Sequence, residues 1–288
     1  MNNLNEERKG FESLGLSYAA ESSVIIEHEV LAGVDNYWFT PKNMMSKEVI
    51  VYLHGGGFIY GSIKSHKAMI SHIANALGKK ILYVEYSLAP EKPFPAALNE
   101  TISVIHDLQR TVSDFAYGIM GDSAGGNLMM SVTLRLKALN SPLPLYQIAL
   151  SPWVNLETTY ASYSENEKLD PVISKDFVEY ASSLYTAGIE KKNPLVSPVH
   201  GNFTGVGPTL IMVGMNEILR DDAIHLHAAL ERDHATSVLK VFDAVTHVWP
   251  LTDIDSDDSQ QALANIIDFI APYGRSFSHE LVSHRVYE

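Results

Sequence analysis

A serine between two glycines is the first group in this chain whose type and spacing could support covalent chemistry. Gly121, Ser123 and Gly125 form a Gly-x-Ser-x-Gly pattern. The pattern is typical of a sharp turn from a strand into a helix, where crowding of the backbone requires glycine or a very small residue on either side. A hydroxyl at such a turn lies at the helix N-terminus, where free N–H groups favour negative charge. The spacing therefore predicts a nucleophile at Ser123.

The residues around this turn supply the elements that it must connect. Residues 117–120 are an apolar run that suits a buried strand, and residues 127–138 carry apolar side chains at helical spacing. The alternative is an ordinary surface serine in a glycine turn. A strand, a turn and a helix in this order favour the nucleophile.

A serine hydroxyl needs a base to accept its proton and an acid to hold that base. On a sheet of parallel strands with this turn, the chain order is serine, acid, histidine. Of the twelve histidines, His247 lies in the loop after the last predicted strand, residues 237–242. His247 is therefore the predicted base.

The acid is expected just beyond the preceding strand, residues 209–213. Glu217 is the first carboxylate past that strand. Asp221 and Asp222 lie about one helical turn further along and are expected to point elsewhere, where their charge would favour the helix N-terminus. We favour Glu217 and keep Asp221 and Asp222 as alternatives.

A glycine run after another predicted strand could stabilise negative charge on a reacting oxygen. Gly56 and Gly57 follow His54 and Gly55, and glycine allows a backbone to approach a substrate closely. We expect the N–H groups of Gly56, Gly57 and Ala124 to form an oxyanion hole, and His54 to hold the loop. A phosphate-binding loop is the competing interpretation, but the Lys-Ser/Thr pair of a P-loop is missing.

These motifs must be positioned by regular elements, which hydrophobic periodicity predicts. The predicted strands cover residues 24–30, 34–39, 48–53, 80–86, 117–120, 145–150, 209–213 and 237–242. The predicted helices cover residues 65–77, 96–110, 127–138, 175–185, 219–232 and 259–270. Alternating strands and helices predict an α/β fold with a mostly parallel eight-stranded sheet and helices on both faces. The chemical motifs all follow strands, at the edge where such sheets bind ligands.

Two segments depart from this alternation. Residues 151–207 are polar and tyrosine-rich, and they are too long for a simple crossover, so we expect them to cover the active face. Residues 1–20 could form a short helix or a frayed terminus. The predicted domains are a catalytic core, residues 21–152 and 201–275, a cap, residues 1–20 and 153–200, and a tail, residues 276–288.

Composition narrows the classes of partner. The net charge is −13 and no basic block is present, which argues against nucleic acid and anionic membrane surfaces. The chain has no cysteine, which excludes disulfides and cysteine-bound metals.

His225 and His227 are two residues apart on a predicted helix and do not share a face, so no metal site is predicted. Without an apolar run long enough to span a bilayer or a signal peptide, we expect a cytoplasmic protein.

Several motifs together resemble the hormone-sensitive-lipase-like family of α/β-hydrolases. The motifs are His54-Gly55-Gly56-Gly57-Phe58, Tyr86-Ser87-Leu88-Ala89-Pro90, Gly121-Asp122-Ser123-Ala124-Gly125-Gly126, Ser151-Pro152-Trp153 and Thr246-His247-Val248-Trp249. The resemblance implies the α/β-hydrolase fold with a small helical cap. It also implies a serine carboxylesterase that hydrolyses short-chain acyl esters through an acyl-enzyme, without metal or cofactor. The family's usual Asp-Pro-Leu-x-Asp acid motif is altered here, and Glu217 takes the place of its first aspartate.

The remaining expectations concern the substrate and partners. Phe58, Tyr60 and Trp153 are candidate walls of a substrate pocket, although aromatic residues are more often core. The partner is expected to be a small-molecule ester, and the family resemblance also implies a possible homodimer. Two other functions share these motifs: a ligand-binding protein on the same fold, and an amidase or peptidase.

Overall fold

The computed structural model describes residues 2–273. The strands are β1 Val24–Leu31, β2 Val34–Pro41, β3 Val49–Leu53, β4 Lys80–Val84, β5 Tyr117–Asp122, β6 Gln147–Leu150, β7 Thr209–Gly214 and β8 Ser237–Phe242. The α-helices are α1 Asn2–Glu12, α2 Ile63–Leu77, α3 Ala96–Thr111, α4 Ala124–Ala138, α5 Ser162–Glu165, α6 Lys175–Thr186, α7 Arg220–Arg232 and α8 Asp257–Ile270. The tail predicted at residues 276–288 and the last two residues of the predicted core lie outside this range.

All eight strands form one sheet in the order β1-β2-β4-β3-β5-β6-β7-β8. Strand β2 is antiparallel to both β1 and β4, and every other neighbouring pair is parallel. The prediction of a mostly parallel eight-stranded sheet is confirmed. The loops after β3, β5, β6, β7 and β8 consequently meet at one edge, which carries the candidate site.

The central strands are buried on both faces. Along β3, Val51 and Leu53 belong to one apolar cluster with α3, α4 and α7, whereas Ile50 and Tyr52 belong to a second cluster with α2 and α8. Successive side chains of a strand point to opposite faces, so a strand covered by helices on both sides must be apolar throughout. This explains why β3 has no polar residue to mark an exposed face.

Helix α4 begins three residues before the predicted start at residue 127. The prediction left Gly125 and Gly126 outside the helix, and glycine is a poor helix former. A Cβ at Gly125 would lie 2.0 Å from the carbonyl oxygen of Leu53, so glycine is required for the first turn of α4 to pack against the end of β3. Tertiary packing therefore outweighs helix propensity at this position.

The two segments outside the alternation contain short helices. Residues Asn2–Glu12 form α1, which favours the helix over the frayed terminus, and a 3₁₀ turn Ser13–Leu16 follows. The insert between β6 and β7 contains α5, α6 and a 3₁₀ turn, Pro198–His200. No helix within residues 2–273 is long and apolar enough to cross a membrane.

Candidate active site

Ser123 occupies the sharp turn between β5 and α4. Its backbone has φ 51° and ψ −119°, a conformation that non-glycine residues rarely adopt. The turn is held because the Ser123 N–H donates to the Leu150 carbonyl at 2.9 Å. A Cβ at Gly121 would lie 2.4 Å from the Gly125 carbonyl oxygen. The turn therefore presents a strained, fixed serine at the end of the sheet.

The structure brings Ser123, His247 and Glu217 together from the loops after three different strands. His247 Nε2 lies 2.9 Å from Ser123 Oγ, and His247 Nδ1 lies 2.7 Å from Glu217 Oε2. The Glu217 side chain is fully buried. A histidine that donates Nδ1–H to the carboxylate leaves Nε2 free to accept the serine proton.

Glu217 is fixed by two further hydrogen bonds. Its Oε1 accepts from Ser151 Oγ at 2.8 Å and from Gly214 N–H at 2.6 Å. Ser151 Oγ in turn accepts from the N–H of Val248, next to the histidine, at 3.2 Å. Ser151 thus connects the loop after β7 that carries Glu217, here called the acid loop, to the loop after β8 that carries His247. The sequence interpretation assigned Ser151 no role, although its position at the end of β6 was a usable signal.

The pKa of His247 is the net result of opposing effects. Burial acts to lower it, while the hydrogen bond and negative charge of Glu217 act to raise it. The carboxylate prevails, so the pKa of His247 is raised above its usual 6.5. Glu217 therefore favours the imidazolium that forms when Ser123 gives up its proton.

The alternative acids have other partners. Asp222 Oδ1 accepts from the N–H groups of Val154 and Asn155 at 2.9 and 2.8 Å, and burial raises the pKa of Asp222 to about 8. Asp221 accepts from Ser162 N–H at 2.9 Å and pairs with Arg220. Both aspartates therefore hold the insert against α7. The sequence analysis expected them only to place favourable charge at the N-terminus of this helix.

The insert also holds the acid loop directly. Asn166 Nδ2 donates to the carbonyls of Met215 and Glu217 at 3.0 and 2.8 Å. Asp170 Oδ2 accepts from Ile218 N–H at 3.0 Å. The covering segment therefore contributes to the position of Glu217 as well as to the cavity.

The glycine run lies beside Ser123, with positive φ at Gly56 (107°) and Gly57 (63°). A Cβ at Gly56 would lie 2.4 Å from the Tyr60 carbonyl oxygen, so only glycine fits. Within residues 2–273, no hydrogen bond uses the N–H group of Gly56 or Gly57. These two donors and the N–H of Ala124, at the start of α4, remain available for an oxyanion.

His54 is positioned to support this loop. It is fully buried, its Nδ1 lies 2.7 Å from the Gly55 carbonyl, and its ring stacks on Tyr86 at 4.2 Å. Burial lowers the pKa of His54 to about 3, so it is neutral at physiological pH. The expectation that His54 holds the loop agrees with these contacts.

A cavity of about 350 Å³ opens onto Ser123 and His247. The N-terminal segment contributes Phe11 and Leu14, the insert contributes Ile173 and Phe177, and Tyr60 also lines it. None of the first four was predicted to be a pocket wall, because nothing local distinguishes a lining residue from a packed one. Residues 2–273 contain no cluster of three or more potential metal-ligating side chains.

Phe58 and Trp153 do not line this cavity, contrary to the expectation that they form pocket walls. Each is only 1% exposed and belongs to the core. The Phe58 ring stacks on Tyr185 with centroids 3.6 Å apart and lies 6.2 Å from Trp153. Both side chains point into the packing between sheet and insert, in line with the alternative that aromatic residues are more often core.

Comparisons with known proteins bear on the fold and the family. A family model described as the alpha/beta hydrolase fold matches residues 50–251. The structure superposes on the crystal structure of an esterase from the bacterial hormone-sensitive lipase family with a TM-score of 0.91, at 33% sequence identity over 94% of this chain and 91% of that one. The chain belongs to the hormone-sensitive-lipase-like family of α/β-hydrolases.

Two relatives in this family of α/β-hydrolases have names that state an activity. An acetyl-hydrolase of Streptomyces hygroscopicus is 31% identical over 213 residues, covering 74% of this chain and 71% of the relative. An esterase of Acinetobacter venetianus is 31% identical over 224 residues, covering 77% and 74%. Residues 50–251, which the family model matches, include the loops that carry Ser123, Glu217 and His247.

Proposed function

We propose that this protein is a serine carboxylesterase that hydrolyses short-chain acyl esters through an acyl-enzyme. The observation that carries the proposal is the continuous hydrogen-bonded path from Ser123 Oγ through His247 to the buried carboxylate of Glu217. The esterase and acetyl-hydrolase names of the relatives support the same reaction. The expected partner is a small ester that enters the cavity beside Ser123.

Acylation begins when Ser123 Oγ attacks the ester carbonyl carbon and its proton passes to His247 Nε2. Glu217 stabilises the resulting imidazolium. The carbonyl oxygen becomes an oxyanion that accepts hydrogen bonds from the N–H groups of Gly56, Gly57 and Ala124. The ester C–O bond then breaks, and His247 returns the proton to the departing alcohol.

Deacylation repeats these steps with water. His247 takes a proton from water as its oxygen attacks the acyl carbon, and the same donors stabilise the second oxyanion. When the bond to Ser123 breaks, its oxygen recovers the proton and the carboxylic acid leaves. Ser123, His247, the ester and water account for every proton and electron pair in these two steps. The mechanism therefore requires no metal or cofactor.

We assign residues 1–20 and 153–200 to the cap, and residues 21–152 and 201–275 to the catalytic core. The contacts of the insert with the acid loop support this division. The cytoplasmic location and the homodimer stay predictions from the sequence.

Active-site labelling tests the proposal and separates it from a ligand-binding protein on the same fold. A fluorophosphonate probe should label the wild type at Ser123, located by peptide mass spectrometry, and should leave Ser123→Ala unlabelled. An unlabelled wild type would contradict the proposal. Matched p-nitrophenyl esters and p-nitroanilides then distinguish an esterase from an amidase, and we expect faster turnover of the esters.

A further inference from the structure

Arg8 of α1 contacts the two loops that flank the oxyanion site. Its Nε donates to the carbonyl of Ile59 at 2.8 Å, and its Nη2 donates to the carbonyl of Ala89 at 2.9 Å. Its guanidinium also pairs with both carboxylate oxygens of Glu91, at 2.8 and 2.7 Å. Such a planar fork fixes direction as well as distance. One side chain therefore joins helix α1, the turn of residues 54–60 that contains the glycine run, and the proline-rich loop of residues 87–95 after β4.

Ile59 belongs to the same turn as the predicted oxyanion donors. The Gly56 carbonyl accepts from the N–H groups of Ile59 at 3.1 Å and Tyr60 at 2.8 Å. The neighbouring loop joins this turn where Ala89 N–H donates to the Phe58 carbonyl at 2.9 Å. The Ile59 carbonyl and the Tyr60 N–H belong to one peptide unit, and this N–H donates to Gly56. A displacement of the Ile59 carbonyl would therefore also displace Gly56.

Two neighbours of Arg8 on α1 contact the same turn. Tyr60 donates its hydroxyl proton to Glu7 Oε2 at 2.7 Å, and its ring lies 5.8 Å from that of Phe11. On its other side the Tyr60 ring stacks on Phe177 of the insert at 5.6 Å. Helix α1 consequently holds the end of the glycine turn at the Ile59 backbone and at the Tyr60 side chain.

The beginning of the turn is held differently. Gly55 N–H donates to Asp122 Oδ1 at 3.0 Å, next to the nucleophile. The far end is held by α1, by the loop after β4 that contains Ala89, and by the stack of Tyr60 on Phe177. Glycine residues lose the most conformational freedom on folding, and oxyanion donors act only when they are already oriented. A loop with successive glycines therefore needs an anchor at both ends.

We infer that Arg8 is a positioning residue for the oxyanion hole, so that helix α1 determines transition-state stabilisation as well as lining the cavity. This inference rests on the proposed serine esterase function. Loss of the Arg8 fork should let Gly56 and Gly57 deviate from the donor geometry while Ser123, His247 and Glu217 keep their contacts. The defect should appear in the transition state and not in binding of the ground state.

The test compares Arg8→Met with Lys9→Met on the full chain. Lys9 is the next residue of the same helix, and among the described residues its side chain pairs with Glu6 of α1, at an exposed site. Two inhibitors of one carbon skeleton serve as probes: an alkyl trifluoromethyl ketone, which adds to the serine and places an oxyanion in the hole, and the corresponding methyl ketone, which does not. We expect Arg8→Met to lower kcat and weaken the trifluoromethyl ketone about 10- to 100-fold, with methyl ketone affinity kept.

Lys9→Met should match the wild type in all three measurements. Equal values for Arg8→Met and Lys9→Met, or an equal loss of both ketones in Arg8→Met, would overturn the inference while leaving the esterase function intact. An inactive wild type that binds neither ketone would instead overturn the proposed function, and this inference with it. Should Arg8→Met not fold, Arg8→Lys keeps the charge without the fork, and a selective loss of the trifluoromethyl ketone is again the expected result.

Discussion

At the scale of single residues, three carboxylates within six positions have three different surroundings. Glu217 accepts hydrogen bonds from His247, Ser151 and Gly214. Asp221 pairs with Arg220, whereas no cation within residues 2–273 pairs with Asp222, whose pKa rises to about 8 through burial. Of these three carboxylates, Glu217 is the one placed to orient the His247 imidazole.

The first prediction compares isosteric amides. Glu217→Gln should lower kcat about 10³- to 10⁴-fold, because an amide cannot stabilise the imidazolium and can present the wrong hydrogen-bonding atom to it. Asp222→Asn should leave kcat close to wild type, since the carboxyl is largely protonated near pH 7 and the amide oxygen can still accept from Val154 and Asn155. Steady-state kinetics on p-nitrophenyl butyrate measure both. If Asp222→Asn instead lost most of its kcat while Glu217→Gln kept it, Asp222 would be the acid that orients His247.

The second prediction concerns pH. The mechanism needs neutral His247, and its pKa is raised above 6.5 because Glu217 outweighs burial. The value of kcat/KM should therefore fall as pH drops through a midpoint above 6.5, and this midpoint reports the free enzyme. In Glu217→Gln the midpoint should move to lower pH, since the stabilising charge is gone. An unchanged midpoint would show that Glu217 does not interact with His247 in solution.

Sequence and structure agree at residues whose position follows from chain order. Ser123, Glu217 and His247 each follow a strand, and chain order alone placed them in one site. Phe58 and Trp153 were misplaced because burial depends on the insert packing over them, which no local pattern records. Ser151 follows β6 as the other site residues follow their strands, but this position alone did not show that its hydroxyl contacts Glu217 and Val248.

At the scale of elements, the insert is joined to the acid loop by polar contacts from its side chains. Asn166 donates to two carbonyls of that loop, and Asp170 accepts from one of its N–H groups. Strand β7 ends just before Glu217, so these contacts define the path of the chain beyond the sheet. The alternation of strands and helices was predictable from periodicity, but these long-range contacts were not.

The third prediction tests this connection. Asn166→Ala removes both donated hydrogen bonds and should lower the free energy of unfolding by roughly 1–3 kcal/mol. It should also lower kcat, because the loop that carries Glu217 would lose one of the contacts that orient the carboxylate toward His247. Chemical denaturation and steady-state kinetics measure the two effects. Ser183→Ala, on the insert but bonded only to the carbonyl of Tyr180 within α6, is the matched control. A normal kcat in Asn166→Ala would show that the insert does not position the acid.

At the scale of the whole molecule, the cavity is assembled from segments far apart in the chain. Phe11 comes from α1, Phe177 from the insert, and Leu251 from the turn after His247. At about 350 Å³ the cavity lies near the lower end of the range for small-molecule sites. Only the final packing determines this volume, so the sequence predicted a cap but not the residues that limit the substrate.

The fourth prediction follows from that volume. In a series of p-nitrophenyl esters, kcat/KM should be highest for short acyl chains and decline once the chain exceeds the cavity. Replacing Phe177 by alanine should move the maximum to longer chains, because the ring is removed from the wall. A wild-type maximum at long acyl chains, or no shift in Phe177→Ala, would contradict the assignment of this cavity to the acyl group.

The most direct test of the whole account is the rate of p-nitrophenyl butyrate hydrolysis by Ser123→Ala. If Ser123 is the nucleophile held by His247 and Glu217, kcat should fall about 10⁶-fold, because the remaining groups act as a unit with it. Unfolding temperature and far-ultraviolet circular dichroism should match the wild type. A folded Ser123→Ala protein that hydrolyses the ester at a rate near that of the wild type would contradict the account.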